Sequence, residues 1–196
     1  MSGRFSVHAA RTPADFAAAR NLRNEVYWTR LGLNTQRWSL EDARDRAGYV
    51  FLLREHAVLV GSGRAVRTDS PLCEIRELGQ LPANLEAATD ACEVSRIATR
   101  RDADGIPASL ILLGMGAKWL LQHTDLRRYV AYAKVSVLWL YQKIGAVDLG
   151  TRFWIPERGD FEYGVILGEL GEAAAAVDQF GQFGAAVTDR TSSEAR

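Results

Sequence analysis

The sequence predicts an α/β (α+β) domain built on a mixed, mostly antiparallel central sheet flanked by helices. Three observations predict it. Period-two runs and helical-period runs alternate in the order β-α-α-β-β, a long connection, β-α-β-α-β-β, then a terminal helix. The 196 residues suit one domain with a sizeable core. One strand, residues 91–100, carries polar side chains and a slip in its alternation.

The first strand is residues 4–10, where Phe5, Val7 and Ala9 alternate with other residues. A helix follows, with Thr12 as N-cap, Pro13 at its first position and Asp15 where the helix dipole favours an acid. Phe16, Ala19, Leu22, Arg23, Val26 and Tyr27 recur at helical spacing, and Gly32 ends the run. Its distal half mixes charge with aromatics. Either the apolar stripe faces the core and the charges are solvated, or Arg23, Tyr27 and Trp28 form one wall of a pocket.

Beyond a linker at 34–38, Ser39 caps a second short helix, with Asp42 three residues later, ending near Ala47. Residues 48–54 and 56–66 read as antiparallel strands turning at Glu55-His56. Gly61 and Gly63 mark a bulge there, or a close approach by another chain or ligand. Arg64 and Arg67 are surface charges or hold an anionic acceptor. Residues 69–90, with Pro71, Gly79 and Pro82, read as a long surface excursion with a short helix near Leu85. Connections of that length often belong to a lid or a binding site.

In the next strand, Cys92, Val94, Ile97 and Ala98 are apolar, and Val94, Ile97 and Thr99 are β-branched. Glu93 and Ser95 share a face, and Arg96 sits beside them. The alternation slips between Arg96 and Ile97, as at a β-bulge. A bulge in a central strand exposes backbone donors and re-aims side chains. A carboxylate beside such N–H groups suits proton removal with oxyanion binding. The alternative is an ordinary strand whose Glu93 and Arg96 pair with neighbours.

Residues 101–108 turn into a helix from Pro107 to about His123, apolar nearly all round and hence buried. Gly114 and Gly116 within it permit close packing at a cost in helix propensity. A strand at 128–133 and a helix at 136–143, closed by Gly145, come next. Residues 147–155 and 161–167 form a hairpin around Pro156–Asp160. An Ala-rich helix from Glu169 to about Ala186 completes a single domain of residues 1–187, and 188–196 form a flexible tail.

Composition narrows the function. Lys+Arg and Asp+Glu both number 24, so no global field draws nucleic acid. No apolar run reaches the roughly 18 residues of a membrane span. The two cysteines, Cys73 and Cys92, form no CxxC, and the scattered His8, His56 and His123 offer no metal spacing. A reducing cytoplasm is the expected setting.

Two stretches carry a family likeness. Tyr141-Gln142-Lys143-Ile144-Gly145 resembles the penultimate-helix pattern of the GNAT superfamily of N-acyltransferases, Tyr, three intervening residues, then Gly. Glu93-Val94-Ser95-Arg96 resembles a narrower branch, the acyl-homoserine-lactone (autoinducer) synthases and the long-chain N-acyl-amino-acid synthases. Residues 22–27 and Gly61-Ser62-Gly63-Arg64 agree with that branch.

The resemblance implies a GNAT-like sheet with a splayed central strand, and acyl transfer from a thioester to an amine. It implies Glu93 as base, directly or through water, and Tyr141 as acid to the departing thiolate. Backbone N–H groups at the Ser95–Ile97 bulge would bind the thioester oxygen. Ser95 would bond the pantetheine or only the backbone; Arg96 would orient Glu93 or pair with a distant carboxylate. Val94, Ile97, Ala98, Arg100, Arg101 and Ala108 fall to the donor. Arg23, Tyr27, Trp28 and Arg64 fall to the acceptor. The tail would run against Leu113, Trp119 and Leu138, unless that helix is plain core. No metal and no tightly bound cofactor are implied.

Two departures bear on the substrates. Residues 101–108 have one glycine, a proline and two aspartates where the superfamily cradles a pyrophosphate. The helix start at Pro107–Ser109 suits one phosphate. That points to acyl carrier protein rather than acyl-CoA, with Arg100, Arg101, Arg127 and Arg128 meeting its acidic surface. The Arg-Leu-Leu-Pro-Thr block of the lactone synthases stands here as Arg64-Ala65-Val66-Arg67-Thr68, and their acidic run only as Glu41, Asp42 and Asp45. An amino-acid acceptor therefore fits better than S-adenosylmethionine. The rivals are a lactone-type synthase, a coenzyme A acyltransferase and a non-catalytic domain of this fold.

Overall fold

A computed structural model describes residues 4–31, 43–100, 107–179 and 185–187, with side chains described for 4–27, 43–100 and 107–179. Its strands are β1 (Phe5–Ala9), β2 (Tyr49–Glu55), β3 (Val58–Arg67), β4 (Ala91–Thr99), β5 (Arg128–Lys134), β6 (Val147–Trp154), β7 (Glu162–Glu169) and β8 (Ala185–Val187). They form one sheet in the order β6-β7-β5-β4-β3-β2-β1-β8. The pairings β4–β5 and β1–β8 are parallel, and the other five are antiparallel. The helices are α1 (Pro13–Leu31), α2 (Ala43–Ala47), α3 (Glu74–Glu77), α4 (Ala108–His123), α5 (Leu138–Gln142) and α6 (Leu170–Gln179).

Both faces of the sheet are covered, and β2 shows why. Its Val50-Phe51-Leu52-Leu53 run has no polar face to give to water. Val50 and Leu52 pack with Ala19 of α1, while Phe51 and Leu53 join the core of α4. The α1 start is a reciprocal cap: Asp15 N–H donates to Thr12 Oγ1 at 3.2 Å, and Thr12 N–H donates to Asp15 Oδ2 at 3.1 Å. Such a cap contributes roughly 1 kcal/mol.

On the other face, α4 lies between the sheet and α6. A Cβ on Gly114 would sit 2.6 Å from Val177 Cβ and 2.9 Å from Ala173 O, so only glycine allows this approach.

The Ala-rich helix, expected to reach about Ala186, is described over Leu170–Gln179, and residues 185–187 form β8 beside β1 instead. The 69–90 excursion runs largely over the surface and carries the expected short helix, at Ala83–Leu85, but part of it turns inward. Cys73, Ile75 and Leu85 are buried against Ala91, Val130 and Val165. Its backbone turns inward to bury those apolar side chains, and α3 comes with it. The caps at Gly32 and Ser39, the 188–196 tail and most of the turn at 101–108 lie outside the described residues.

The sheet opens at its centre. The β4–β5 ladder runs from Ala91↔Arg128 to Glu93↔Val130 and ends there. Beyond it β4 follows β3, and β5 follows β7. The cause lies in β4. Ser62 pairs with Ala98 and Arg64 with Ser95, so Gly63 alone stands opposite Arg96 and Ile97. Arg96 takes up the extra residue in the left-handed region, at φ 57°. That conformation costs a non-glycine residue about 1–2 kcal/mol. The added twist turns β4 away from β5. Gly63 leaves room for Ile97, since a Cβ would lie 2.7 Å from Ile97 Cδ1 and displace that methyl.

Candidate active site

Where β4 and β5 part, a cleft of about 350 Å³ opens. Ser95, Arg96 and Ile97 line it from the bulge, Tyr132 and Lys134 from β5, and Tyr141 from α5. Val26 and Tyr27 of α1 line it too, with Glu74 and Arg158 from the two loops. Past Glu93, the backbone groups on the β5 side of β4 have no partner in the β5 ladder. Such groups are the raw material of an oxyanion site.

A second, apolar chamber of about 30 Å³ lies between β4 and α4, lined by Val94, Leu112, Gly116 and Tyr129 among others. Ile97 and Leu113 line both spaces and so stand at the partition. The bulge produces this arrangement by turning Ile97 towards α4.

Several expected site residues meet here. Tyr141 lines the cleft at 7% exposure. Burial, and then the nearby Tyr27, push its phenol above the usual range, which keeps its proton available for donation. The Tyr27 hydroxyl donates to Ile97 O at 3.4 Å and so holds the bulge from the α1 side. Ser95 Oγ accepts from Arg64 Nε at 3.2 Å.

Other expectations are corrected. Glu93 is 0% exposed and does not line the cleft. Its Oε2 accepts from Ile75 N–H at 2.7 Å and from Cys73 Sγ at 3.5 Å. Its Oε1 has no hydrogen-bond partner among the described residues. Direct contact with an amine in the cleft is closed to it, because α3 is folded over it.

Arg23 and Arg64 do not line the cleft either. Both are sealed in the interior on Asp45, at 2.7 Å from Oδ2 and 3.4 Å from Oδ1 respectively. Ala98 faces α1, packed with Leu22, Val26 and Tyr27, and is not a donor contact. Arg100 bonds Glu25 at 2.7 Å and Leu59 O at 3.0 Å, away from the cleft. Ala108 is buried at the start of α4, while its neighbour Ser109 reaches the cleft. Trp119 stacks on His123 and lines neither space, and Leu138 packs towards Gly164. The side chain of Trp28, and Arg101, fall outside the described residues.

The basic residues expected to meet a carrier are engaged locally. Arg128 bonds Asp90, and Arg127 bonds Thr124 O and Leu126 O. Both cysteines are buried free thiols. Burial, and then the Glu93 charge, push both the Cys73 and Cys92 thiols up to about 12.

Sequence reading missed Glu74, Tyr132 and Arg158. Burial alone raises the Glu74 carboxyl. The Arg96 and Arg158 charges, the Tyr132 hydrogen bond and the Arg64 charge outweigh it and hold the group below its usual range. A loop acid, a strand tyrosine and a turn arginine give no local sign of meeting. The arginine in the 156–160 turn was visible, but not its destination.

The chain has a GNAT-like fold, shared with solved acyl-homoserine-lactone synthases and an N-acyl amino acid synthase. The AHL synthase LasI matches at 18% identity with a TM-score of 0.69, covering 96% of this chain and 100% of that one. BjaI, a CoA-dependent acyl-homoserine lactone synthase solved with MTA, matches at 16% identity and TM-score 0.70, covering 92% and 90%. FeeM, an N-acyl amino acid synthase from uncultured soil microbes, matches at 14% identity and TM-score 0.61, covering 91% and 99%. No family model matches the sequence, and no curated protein matches it. No described helix is long and apolar enough to cross a membrane.

Proposed function

We propose that this chain is an N-acyltransferase that moves an acyl group from a carrier-protein or coenzyme A thioester to the amine of an amino acid. The observation that carries this is the opening at the β4 bulge. It sets the cleft holding Tyr141 beside a small apolar chamber, with Ile97 and Leu113 between them. A thioester carbon at that partition has its tail directed to the chamber and its sulfur towards Tyr141.

The amine lone pair attacks the thioester carbon, and backbone N–H groups at the bulge receive the oxygen's developing charge. The C–S bond then breaks, and Tyr141 gives its proton to the thiolate. The ammonium proton leaves through a water relay ending on Glu93 Oε1. A buried carboxylate oxygen without a protein partner suits that role better than direct contact. Arg96 acts in the cleft wall rather than as a guide to Glu93.

The donor is an acyl thioester of either carrier. The carrier-protein preference rests on residues 101–108 and on basic side chains of which Arg100, Arg127 and Arg128 are tied to local partners. A second reading keeps the chemistry and takes S-adenosylmethionine as acceptor. It is suggested by BjaI, a structural neighbour solved with SAM and isopentyl-CoA.

The test incubates the purified protein with acyl carrier protein and coenzyme A thioesters of graded length, an amino-acid mixture and S-adenosylmethionine. Products are then read by mass. N-acyl amino acids are expected, and an acyl lactone formed only with S-adenosylmethionine would decide for the second reading. No product from any donor, or full turnover in Tyr141→Phe, sinks the proposal. Leu113→Ala is expected to shift the preferred tail to greater length.

A further inference from the structure

The cleft has a charged end assembled from four separate parts of the chain. Glu74 opens α3, Tyr132 lies on β5, Arg96 is the bulge residue, and Arg158 sits in the turn between β6 and β7. Arg158 Nη1 donates to Tyr132 Oη at 2.5 Å, and its Nη2 donates to Glu74 Oε1, 84 residues away in sequence. Arg96 Nη2 stands 3.7 Å from the same oxygen, and Arg64 Nη2 stands 3.7 Å from Glu74 Oε2.

Among the acidic and basic residues described in the cleft wall, three are cationic, Arg96, Lys134 and Arg158, and one is anionic, Glu74. That balance, in a partly desolvated space, favours an anionic ligand. Guanidinium forks match the two oxygens of a carboxylate. Glu74 matches an ammonium. An α-amino acid carries both charges on one carbon.

We propose that Arg158 and Arg96 receive the carboxylate of an α-amino-acid acceptor and that Glu74 receives its ammonium. Arg158 and Glu74 satisfy one another in this structure. The zwitterion inserts between them, so each keeps an opposite charge on binding and neither is left uncompensated. Tyr132 holds the Arg158 fork as its partner changes. This deepens the acyl-transfer reading and rests on it.

The experiment is calorimetric binding of a product-like pair, N-octanoylglycine and N-octanoylglycinamide, which differ only in the charge presented to Arg158. Wild type is expected to prefer the carboxylate by about tenfold or more, worth at least about 1.4 kcal/mol. Arg158→Gln is expected to abolish the preference by weakening the carboxylate alone. Arg158→Lys, which keeps the charge without the fork, is expected to retain part of it.

Equal binding of both probes by the wild type, or a full preference in folded Arg158→Gln, overturns the receptor. If the wild type nevertheless transfers acyl groups, the acyl-transfer reading survives that failure. Binding of neither probe, together with no transfer to any amine, overturns both.

Discussion

Two arginine–carboxylate clusters lie on the same side of the central strand, and they differ in one respect. Asp45 joins Arg23 and Arg64 in a sealed interior, where the three residues are at most 1% exposed. Glu74 joins Arg96 and Arg158 in the wall of an open cleft. A sealed ion cluster cannot exchange partners, so its charges hold α1, α2 and β3 in place. A cluster facing a cleft can trade one partner for a ligand. The sequence reading gave the acceptor to Arg23 and Arg64, whereas the cluster that lines the cleft is that of Glu74, Arg96 and Arg158.

The sharpest way to break the comparison is Asp45→Ala. Leaving the buried Arg23 guanidinium without Asp45, and Arg64 with Glu74 alone, is expected to cost about 3–5 kcal/mol in urea unfolding. A loss under about 1 kcal/mol would show that the sealed cluster is not structural. Tyr141→Phe should separate the regions in the opposite sense. It is expected to lower turnover by about 10²–10⁴ while leaving the melting temperature near wild type. Gly114→Ala, far from both clusters, should destabilise by about 1–3 kcal/mol, because α6 backbone occupies the space of the new methyl. A stabilised variant would contradict the α4–α6 packing.

Acid sharpens the comparison further. The folded-state Glu74 carboxyl lies below its unfolded value of 4.5. Its stabilisation is present above the unfolded value and is lost as pH falls through the folded one. Between about pH 5 and pH 3, wild type should therefore lose stability more steeply than Glu74→Gln. Parallel pH curves would mean that Glu74 is not held ionised by its arginines. The smallest effect concerns the thiols: with both pushed up to about 12, native protein at neutral pH should react negligibly with a thiol reagent. Rapid labelling of Cys73 would show that α3 lifts off Glu93.

Much of the fold was legible in the chain. The slip of apolar pattern at Arg96-Ile97 marks the bulge, because a strand's side chains alternate faces wherever pairing is regular. The Thr12–Asp15 cap and the α4 run were legible for the same reason: local geometry alone decides them. Tyr141 was found through a motif, and the cleft does contain it. Glu93 was found as well, but its cover was not, since Ile75 N–H arrives from a segment with no strong period. Glu74 and Arg158 were invisible as a pair.

The sequence by itself determined the strand with the defect, the helices that sandwich it and the tyrosine that faces it. The strand and the helices follow from periodicity and from residue preferences that act over a few neighbours, and the tyrosine from a family motif. Only the tertiary structure decided which carboxylate and which arginines reach the cleft. Those contacts join residues tens of positions apart. They depend on where the β4–β5 ladder stops and on how the 69–90 segment and the β6–β7 turn fold back, which no local pattern encodes.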